Sequence, residues 1–366
     1  MFQASPEYVK YLESFKRFGV REFAEMPVQR KHLGDAISML VRQDLEFGIL
    51  GLAPKTYTPY IYSWGKFVGM QVAKQALSTL KVSTATKLAA RVFTMSLLKT
   101  GVYQDAFARG WMENLAGIPS LTYFDERAKV FRARDAECDE ASGLPNIGKC
   151  VCFYEGAAIA GTTETALGRP VNVFETKCVA NGDPDCEFVA EVDSPFPREF
   201  CLLNESDFKK IRKSIIDHMI STKRAVIRSQ LGDYTHLAQF QVLYLGIFLS
   251  SPGSHTMLYW VGKNTGNEIA AKVRERTMTA QLKAMSDFLA RLKIGVLTWE
   301  RDGNKLIFEV KESAFSTGAA NFHKRICSYL AGFIAGFLGT SWNKPVSVVE
   351  TECLANGDKT CRFETV

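Results

Sequence analysis

The sequence predicts two tandem copies of one mixed α/β domain, each with helices packed on an antiparallel sheet. A motif of the form Glu-x-x-Cys-x7-Cys begins at Glu175 and returns at Glu350, 175 residues later. Residues 152–188 align without a gap against residues 327–363, and 18 of the 37 positions are identical. Helical and strand patterns also follow one another in the same order around both motifs. Self-similarity at a fixed period indicates a duplicated domain.

The first copy begins with a predicted helix over residues 6–25, where aromatic and aliphatic side chains recur at helical spacing. The same spacing predicts a second helix over residues 84–115. Two short apolar runs at residues 121–124 and 129–134 come next and predict a pair of strands.

The second copy repeats this order. Helical spacing predicts helices over residues 206–229 and 267–291. A strand at residues 293–300 and another at 305–311 enclose the turn Asp302-Gly-Asn, which predicts a hairpin. The chain ends with a helix of small residues and a second hairpin, predicted over residues 327–336, 346–353 and 361–366.

A glycine pattern occurs once in each copy. Gly65 and Gly69 of the first copy correspond to Gly262 and Gly266 of the second, and a lysine follows the first glycine of each pair. Glycines four apart share one helix face and allow another backbone to approach closely. Because no Walker spacing follows, the pattern predicts helix packing rather than a phosphate site.

The segment from Asp193 to Pro197 contains two prolines and separates the copies. We therefore predict a first domain over residues 1–192, a linker over residues 193–202 and a second domain over residues 203–366. Two equivalent domains in one chain can make the contact that two subunits would otherwise make. We expect an intramolecular pseudo-dimer, and a homodimer of the whole chain stays open.

Composition excludes several classes of protein. The net charge is +6 and the pI is about 8.7, which is too diffuse a basic balance to indicate nucleic-acid binding. The basic face of the predicted helix 206–229 is interrupted by acidic and polar residues, so a solvated face is favoured over a membrane or acidic partner. The N-terminus lacks a signal-peptide core, and no apolar run is long enough to span a bilayer. We expect a cytoplasmic protein.

The cysteines predict one metal centre in each copy. A further cysteine lies 23 residues before each motif glutamate, so each copy offers three cysteines and one glutamate. Three thiolates and a carboxylate suit tetrahedral zinc, and four protein ligands close the site for a structural role. The predicted ligands are Cys152, Glu175, Cys178 and Cys186 in the first copy and Cys327, Glu350, Cys353 and Cys361 in the second.

Two other interpretations of these cysteines stay open. The paired cysteines of each hairpin, Cys178 with Cys186 and Cys353 with Cys361, could form disulfides, or all could be buried free thiols. Zinc is favoured because a third cysteine and the glutamate recur together in both copies. A reducing compartment also favours metal ligands over structural disulfides.

The spacing of the motif sets a geometric condition. Residues three apart on an ideal strand point to opposite faces of the sheet. Glu175 and Cys178 can therefore share one metal ion only if a bulge or a strand end lies between them. Otherwise water or another side chain completes the coordination shell.

Three further cysteines lie outside the repeated sets. Cys150 could replace Cys152, although the second copy has Arg325 at the position equivalent to Cys150. Cys138 and Cys201 have no cysteine counterpart, and we expect them to be plain core or surface residues.

Taken together, these residues resemble the 4-vinyl-reductase domain, also called the hydrocarbon-binding domain. The resemblance lies in the spacing of one cysteine, the glutamate and two further cysteines, in the Gly-Asp of the loop and in the glycine-lysine helix. It covers about residues 5–192 and 203–366. It implies an antiparallel sheet with helices packed over it, domains that pair, and a relation to transport-particle (TRAPP) subunits. In the phenol- and xylene-sensing activators of this family the motif holds zinc, so the resemblance implies two structural Zn2+ ions per chain.

The resemblance also implies an apolar effector pocket beside the zinc. Those sensors recognise an aromatic hydroxyl with a histidine and a tryptophan, and the first copy has no histidine between residues 33 and 217. An aromatic alcohol is therefore not the expected ligand. Each candidate pocket residue could equally be ordinary core. The candidates are Phe93, Met95, Trp111 and Phe131 in the first copy and Met278, Met285, Phe288 and Trp299 in the second.

Three functions are compatible with this sequence. The first is a binding module that senses or carries an apolar small molecule and acts on an unidentified protein partner. The second is an accessory or carrier protein in tetrapyrrole vinyl reduction. The third is an interaction scaffold of the transport-particle type. The sequence has no dinucleotide fingerprint and no catalytic triad, which argues against an intrinsic reductase.

Overall fold

The computed structural model describes residues 4–14, 29–79, 116–125, 127, 129–194, 202–221, 226–251, 253–273, 275–319 and 321–366. We refer to the described residues up to 194 as the first half and to those from 202 as the second half. The candidate pocket residues Phe93, Met95 and Trp111 lie outside the described residues, as does Cys201.

In the first half, helices and strands alternate as the sequence predicts. The elements are α1 (Pro6–Ser14), β1 (Ala36–Ser38), α2 (Met39–Leu52), α3 (Pro54–Thr79), β2 (Ile118–Asp125), β3 (Val130–Ala136), α4 (Phe153–Leu167), β4 (Val171–Lys177) and β5 (Cys186–Val192). The described part of α1 confirms the start of the helix predicted over residues 6–25. The helix predicted over residues 84–115 lies outside the described residues.

The second half repeats these elements. They are α5 (Glu205–Ile220), β6 (Tyr234–His236), α6 (Leu237–Ser250), α7 (Ser254–Ala270), α8 (Met278–Arg291), β7 (Val296–Asp302), β8 (Lys305–Lys311), α9 (Ser328–Ser341), β9 (Val348–Glu352) and β10 (Cys361–Thr365). α5 begins with a capping box, in which the Asn204 side chain accepts from the Asp207 amide and Asp207 accepts from the Asn204 amide.

Two predicted helices were drawn too long. The helix predicted over residues 267–291 is two helices, because α7 ends at Ala270 and α8 begins only at Met278, where the Thr277 side chain caps it by accepting from the Ala280 amide. The helix predicted over residues 206–229 ends at Ile220 as α5. Helical spacing of apolar residues continued through both ends, and it does not report where the backbone turns.

Each half contains one four-stranded antiparallel sheet. The strand order is β2-β3-β5-β4 in the first half and β7-β8-β10-β9 in the second. Alternate residues of β3 point inward, so Phe131 and Ala133 are buried while Arg132 and Arg134 are exposed. The identical order of the two sheets confirms two copies of one mixed α/β domain.

The glycine pattern packs helices together, as predicted. α3 crosses α4 in the first half, and α7 crosses α9 in the second. A Cβ atom on Gly262 would lie 1.9 Å from the carbonyl oxygen of Tyr329, and one on Gly69 would lie 2.2 Å from that of Ala158. The backbones therefore touch where each glycine lies, and a larger residue does not fit without moving a helix.

The two halves exchange their first helices. α1 packs on α6 of the second half, where the Tyr8 hydroxyl donates to the Val242 carbonyl at 2.9 Å. α5 packs on α2 of the first half, where Arg212 approaches Asp44 at 3.4 Å. Strand β1 pairs antiparallel with β6, which joins the halves through backbone hydrogen bonds. The halves thus form an intramolecular pair.

A reciprocal loop contact reinforces this pairing. The Glu312 carboxylate accepts from the amides of His32 and Leu33 at about 3 Å. The Glu137 carboxylate accepts from the amides of Gln230 and Leu231 in the same way. Each glutamate thus holds a loop of the opposite half. Both glutamates have a positive φ, 52° and 56°, a conformation that these contacts stabilise.

One contact between the halves has no equivalent on the other side. Asp44 is buried, and its Oδ2 accepts from the Tyr329 hydroxyl at 2.6 Å and from the Thr265 hydroxyl at 2.7 Å. Arg212 adds a positive charge beside the same carboxylate. The equivalent of Asp44 on α6 is Val242, whose backbone carbonyl alone takes part in the contact with α1.

In the part of the chain that the structure describes, no helix combines the length and the apolarity needed to cross a bilayer.

Candidate metal centres

Three elements bring the predicted ligands of each half together. In the first half, Cys152 precedes α4 as its N-cap residue, Cys178 follows the end of β4, and Cys186 opens β5. β4 and β5 pair antiparallel, so their ends place Cys178 and Cys186 next to each other. Helix α4 packs on β4 and supplies the third thiol. The second half arranges Cys327, Cys353 and Cys361 in the same way.

A bulge meets the geometric condition for sharing one site. The β4–β5 register shifts between Glu175 and Lys177, so one extra residue interrupts the alternation of side chains. Cys178 lies just beyond the strand end. The β9–β10 pair has the same irregularity next to Glu350. Both features named as alternatives in the sequence prediction are therefore present.

The loop after the middle cysteine is a fixed turn. The Asp183 carboxylate accepts from the Cys178 amide at 3.0 Å and from the Asn181 side chain at 3.0 Å. Gly182 has a φ of 93°, which favours glycine. Asp358 accepts from the Cys353 amide at 2.8 Å in the second half. The repeated Asn-Gly-Asp of the motif is thus the turn that returns the chain to the second strand.

The four ligand atoms of each set lie within 4.8 Å of one another. In the first half, Cys152 Sγ is 3.9 Å from Cys178 Sγ and 3.5 Å from Cys186 Sγ. In the second half, Cys327 Sγ is 3.9 Å from Cys353 Sγ and 3.7 Å from Cys361 Sγ. All six thiols are buried. These two groups are therefore compact, water-excluded candidate metal centres.

The disulfide alternative is not observed. All eight cysteines in the described residues are free, including both hairpin pairs. Hydrogen bonds from the thiols of Cys152 and Cys186 lower the pKa of Cys178 to about 3. In the second half, hydrogen bonds from Cys327 and Cys353 lower the pKa of Cys361 to about 4. Each cluster therefore already favours one thiolate, the form that binds metal.

The glutamates fit a metal as well. Oε2 of Glu175 accepts from the Cys152 amide at 2.7 Å, and Oε2 of Glu350 accepts from the Cys327 amide at 2.8 Å. In each case Oε1 is buried and has no hydrogen-bond partner among the residues described. Burial also raises the pKa of Glu350 to about 9. A cation in the cluster would satisfy this oxygen and reverse the effect of burial on the carboxyl group.

The structure corrects the interpretation of Cys138. This residue is no plain core residue, because its Sγ lies 3.7 Å from Cys152 Sγ at the edge of the first centre. Its counterpart in the second half is Ser313, whose Oγ lies 3.7 Å from Cys327 Sγ. The alignment of the two copies contained the signal, since Cys138 and Ser313 are also 175 residues apart. Cys150 is half-buried and is not part of the set of ligand atoms.

A second feature that the sequence interpretation missed is an ionic cluster in the first half. Arg42 on α2 is fully buried and is surrounded by four buried carboxylates. Its Nη1 lies 3.4 Å from Glu46 and 3.4 Å from Asp139. Its Nη2 lies 3.2 Å from Glu155 and 4.0 Å from Glu140. Burial raises the pKa of both Glu140 and Glu155 well above their usual range.

The second half has an aromatic core at the same place. Gln43 and Gln241 are equivalent, because each donates to carbonyls of the loop after the second strand of its sheet. From this alignment, Phe240, Tyr244, Ala314, Phe315 and Leu330 replace Arg42, Glu46, Asp139, Glu140 and Glu155. The Phe315 ring centroid is 4.7 Å from that of Tyr244 and 5.4 Å from that of Phe240. The two halves share a fold and differ most in this region.

The candidate pocket residues within the described chain belong mostly to packed layers. Phe131 is buried on β3, and Met285 and Phe288 are buried on α8, where Phe288 stacks on Phe333 at 5.6 Å. Trp299 is half-buried on β7, and Met278 is exposed at the start of α8. An open groove of about 490 Å³ lies elsewhere, between the α2–α3 junction and the start of α5, and Gly51, Pro54, Leu202 and Phe208 are among its lining residues.

The vinyl-4-reductase domain matches residues 131–192 and 306–366 of this chain. An uncharacterised protein of Methanocaldococcus jannaschii is 30% identical over 156 residues, which is 42% of this chain and 87% of that protein. A second uncharacterised protein of the same organism is 25% identical over 142 residues, 37% of this chain and 80% of that protein.

Solved structures with similar folds include three proteins. A vinyl-4-reductase family protein of Methanocaldococcus jannaschii aligns with 46% of this chain and 98% of its own length, at 20% identity and a TM-score of 0.29. The phenol-responsive sensory domain of the transcription activator PoxR aligns with 51% of this chain and 91% of its own, at 12% identity and a TM-score of 0.32. A trafficking protein particle complex subunit 3 of Naegleria fowleri, bound covalently to palmitic acid, aligns with 43% and 99%, at 16% identity and a TM-score of 0.31.

Proposed function

The chain belongs to the vinyl-4-reductase domain family, with two copies of the domain, and from this premise we propose that it is a zinc-stabilised protein that binds an apolar small molecule. The observation that supports the metal is the repeated set of three buried cysteines and one buried glutamate, with ligand atoms within 4.8 Å of one another. A tetrahedral zinc ion with sulfur ligands at about 2.3 Å separates the sulfurs by about 3.8 Å, close to the distances in both clusters.

The zinc would be held by Cys152, Glu175, Cys178 and Cys186 in the first half and by the equivalent residues in the second. Four protein ligands leave no open position for a substrate, so the role of the metal is structural. Each ion would tie the start of a helix to the ends of two strands. Binding releases thiol protons and adds its free energy to that of folding.

The ligand would bind in the helical layer over the sheet of the first half. In the second half that layer is filled by Met285, Phe288 and Phe333, with two stacked rings. Phe131 on the first sheet supplies a buried aromatic surface, and its counterpart in the second half is Leu306. The protein would act as a sensor or carrier that passes ligand occupancy to a separate protein partner in a reducing, cytoplasmic compartment.

A thermal-shift screen over fatty acids, isoprenoids, aromatics and tetrapyrroles tests this proposal. A ligand that binds only the folded chain stabilises it by about 2.7 kcal/mol at 100 times its Kd. The matched variants are Phe131→Ala and Leu306→Ala, each compared with and without ligand. The proposal expects Phe131→Ala to remove the ligand-induced shift and Leu306→Ala to retain it. Absence of stabilisation by any class would favour the scaffold function, and visible absorbance of the purified protein would favour a tetrapyrrole.

A further inference from the structure

The first metal centre has one more thiol beside it than the second. Cys138 follows β3 in a loop that the rest of the fold holds in place: the Asp139 amide donates to the Ala116 carbonyl at 2.7 Å, and the Ser142 amide donates to the Cys138 carbonyl at 2.9 Å. Gln43 also donates to the carbonyls of this loop. The Cys138 side chain is 1% exposed, so its sulfur faces the protein interior.

The position of this sulfur relative to Cys152 suits a shared metal. Cys152 Sγ has three neighbouring sulfurs, at 3.7 Å for Cys138, 3.9 Å for Cys178 and 3.5 Å for Cys186. The edge of a tetrahedron of sulfurs around zinc is about 3.8 Å, from a metal–sulfur distance of about 2.3 Å. The three distances are therefore those of three edges that meet at one sulfur.

The second centre cannot make the same arrangement. Ser313 is the counterpart of Cys138, and its Oγ is 3.7 Å from Cys327 Sγ. Zinc sites in proteins use thiolate, imidazole and carboxylate ligands, and a neutral serine hydroxyl is a poor substitute. The same fold therefore offers five donors in the first half and four in the second.

We propose that Cys138 is the fourth sulfur ligand of the first centre, so that a soft divalent metal is bound there by Cys138, Cys152, Cys178 and Cys186. The inference rests on the proposed metal-binding function. The set of ligand atoms within 4.8 Å of one another includes Glu175 and not Cys138, so Cys138 moves inward as Glu175 leaves the shell. Soft metals favour thiolate over carboxylate, which drives this exchange. The Cys138 proton passes to solvent as the metal–sulfur bond forms.

Cadmium NMR of the full chain loaded with Cd2+ alone tests this assignment, since it gives one resonance per centre and the resonance moves downfield with each added thiolate. The wild-type chain is expected to show two separated resonances. Cys138→Ser should move the downfield resonance to the region of the other, and Ser313→Cys should move the upfield one down. Cys150→Ser is the matched control and should leave both in place.

The metal content of the same samples separates the two proposals. Fewer than two Cd2+ ions per wild-type chain would contradict the proposed pair of metal centres. Two ions with overlapping resonances, or a Cys138→Ser spectrum identical to that of the wild type, would overturn the role of Cys138 while leaving the metal centres intact. Serine occupies the equivalent position in the second half, so the Cys138→Ser variant is expected to fold.

Discussion

Replacing Arg42 by phenylalanine, its counterpart in the second half, should destabilise the first half strongly. The guanidinium lies within 4.0 Å of four buried carboxylates, and its removal leaves them without that positive charge. Removing one partner of a buried ion pair typically costs about 3–5 kcal/mol, because the remaining charge stays desolvated. We expect a loss in that range at neutral pH, measured by urea unfolding of the full chain.

The loss should depend on pH with a definite sign. Burial raises the pKa of Glu140 and Glu155 in the folded chain, so that above their unfolded pKa of about 4.3 the folded state binds more protons than the unfolded one. The free energy of unfolding contributed by these groups therefore falls as the pH rises from the unfolded to the folded pKa. Without Arg42 those pKa values rise further, so the difference between wild type and variant should grow from about pH 5 to about pH 8.

A matched variant distinguishes charge from shape. Exchanging all five residues of the ionic cluster for their second-half counterparts installs an apolar, aromatic set that already packs in this fold. Replacing a complete buried ionic group by apolar residues is often neutral or stabilising, so this variant should regain most of the stability. A loss below about 1 kcal/mol for Arg42→Phe, unchanged across that pH range, would show that the carboxylates do not depend on Arg42.

The remaining predictions concern the metal, the helix contacts and the contact between the halves. Cys178→Ser and Cys353→Ser should each remove one zinc ion per chain by elemental analysis and lower the melting temperature; full metal content in either variant would contradict the site. Gly332→Ala should cost about 1–3 kcal/mol or more, because its Cβ would lie 2.0 Å from the Tyr259 carbonyl, whereas Gly339→Ala in the same helix meets its nearest atom at 3.4 Å and should be tolerated. Glu312→Gln should cost about 1–3 kcal/mol in unfolding free energy, and equal stability of this variant and wild type would show that the loop contact is dispensable.

Much of each metal centre could be predicted from the sequence because its geometry is local. The spacing from Glu175 to Cys186 covers a strand end, one turn and a strand start, and the Asn-Gly-Asp signal fixes that turn. The third cysteine was found because Cys152 and Cys327 recur at the same distance from the motif. Repetition within one chain supplied the constraint that a single copy lacks.

The ionic cluster could not be predicted in the same way. Its charged residues come from α2, from the loop after β3 and from α4, and only the tertiary fold brings them together. Charged residues in a helix usually indicate a solvated face, so Arg42 and Glu46 carry no local sign of burial. A residue-by-residue alignment of α2 with α6 gives the one available signal, because the equivalent positions are aromatic.

The one-sided contact at Asp44 shows what fusion of the two domains permits. In a symmetric homodimer every substitution at the interface appears on both sides of the axis, so an added carboxylate needs two sets of partners. In this chain Asp44 is matched by Arg212, Thr265 and Tyr329, while the opposite position holds Val242. Covalent linkage keeps the partners together at high effective concentration whatever their complementarity. Each half can therefore change its interior independently, one toward buried charge and the other toward aromatic packing.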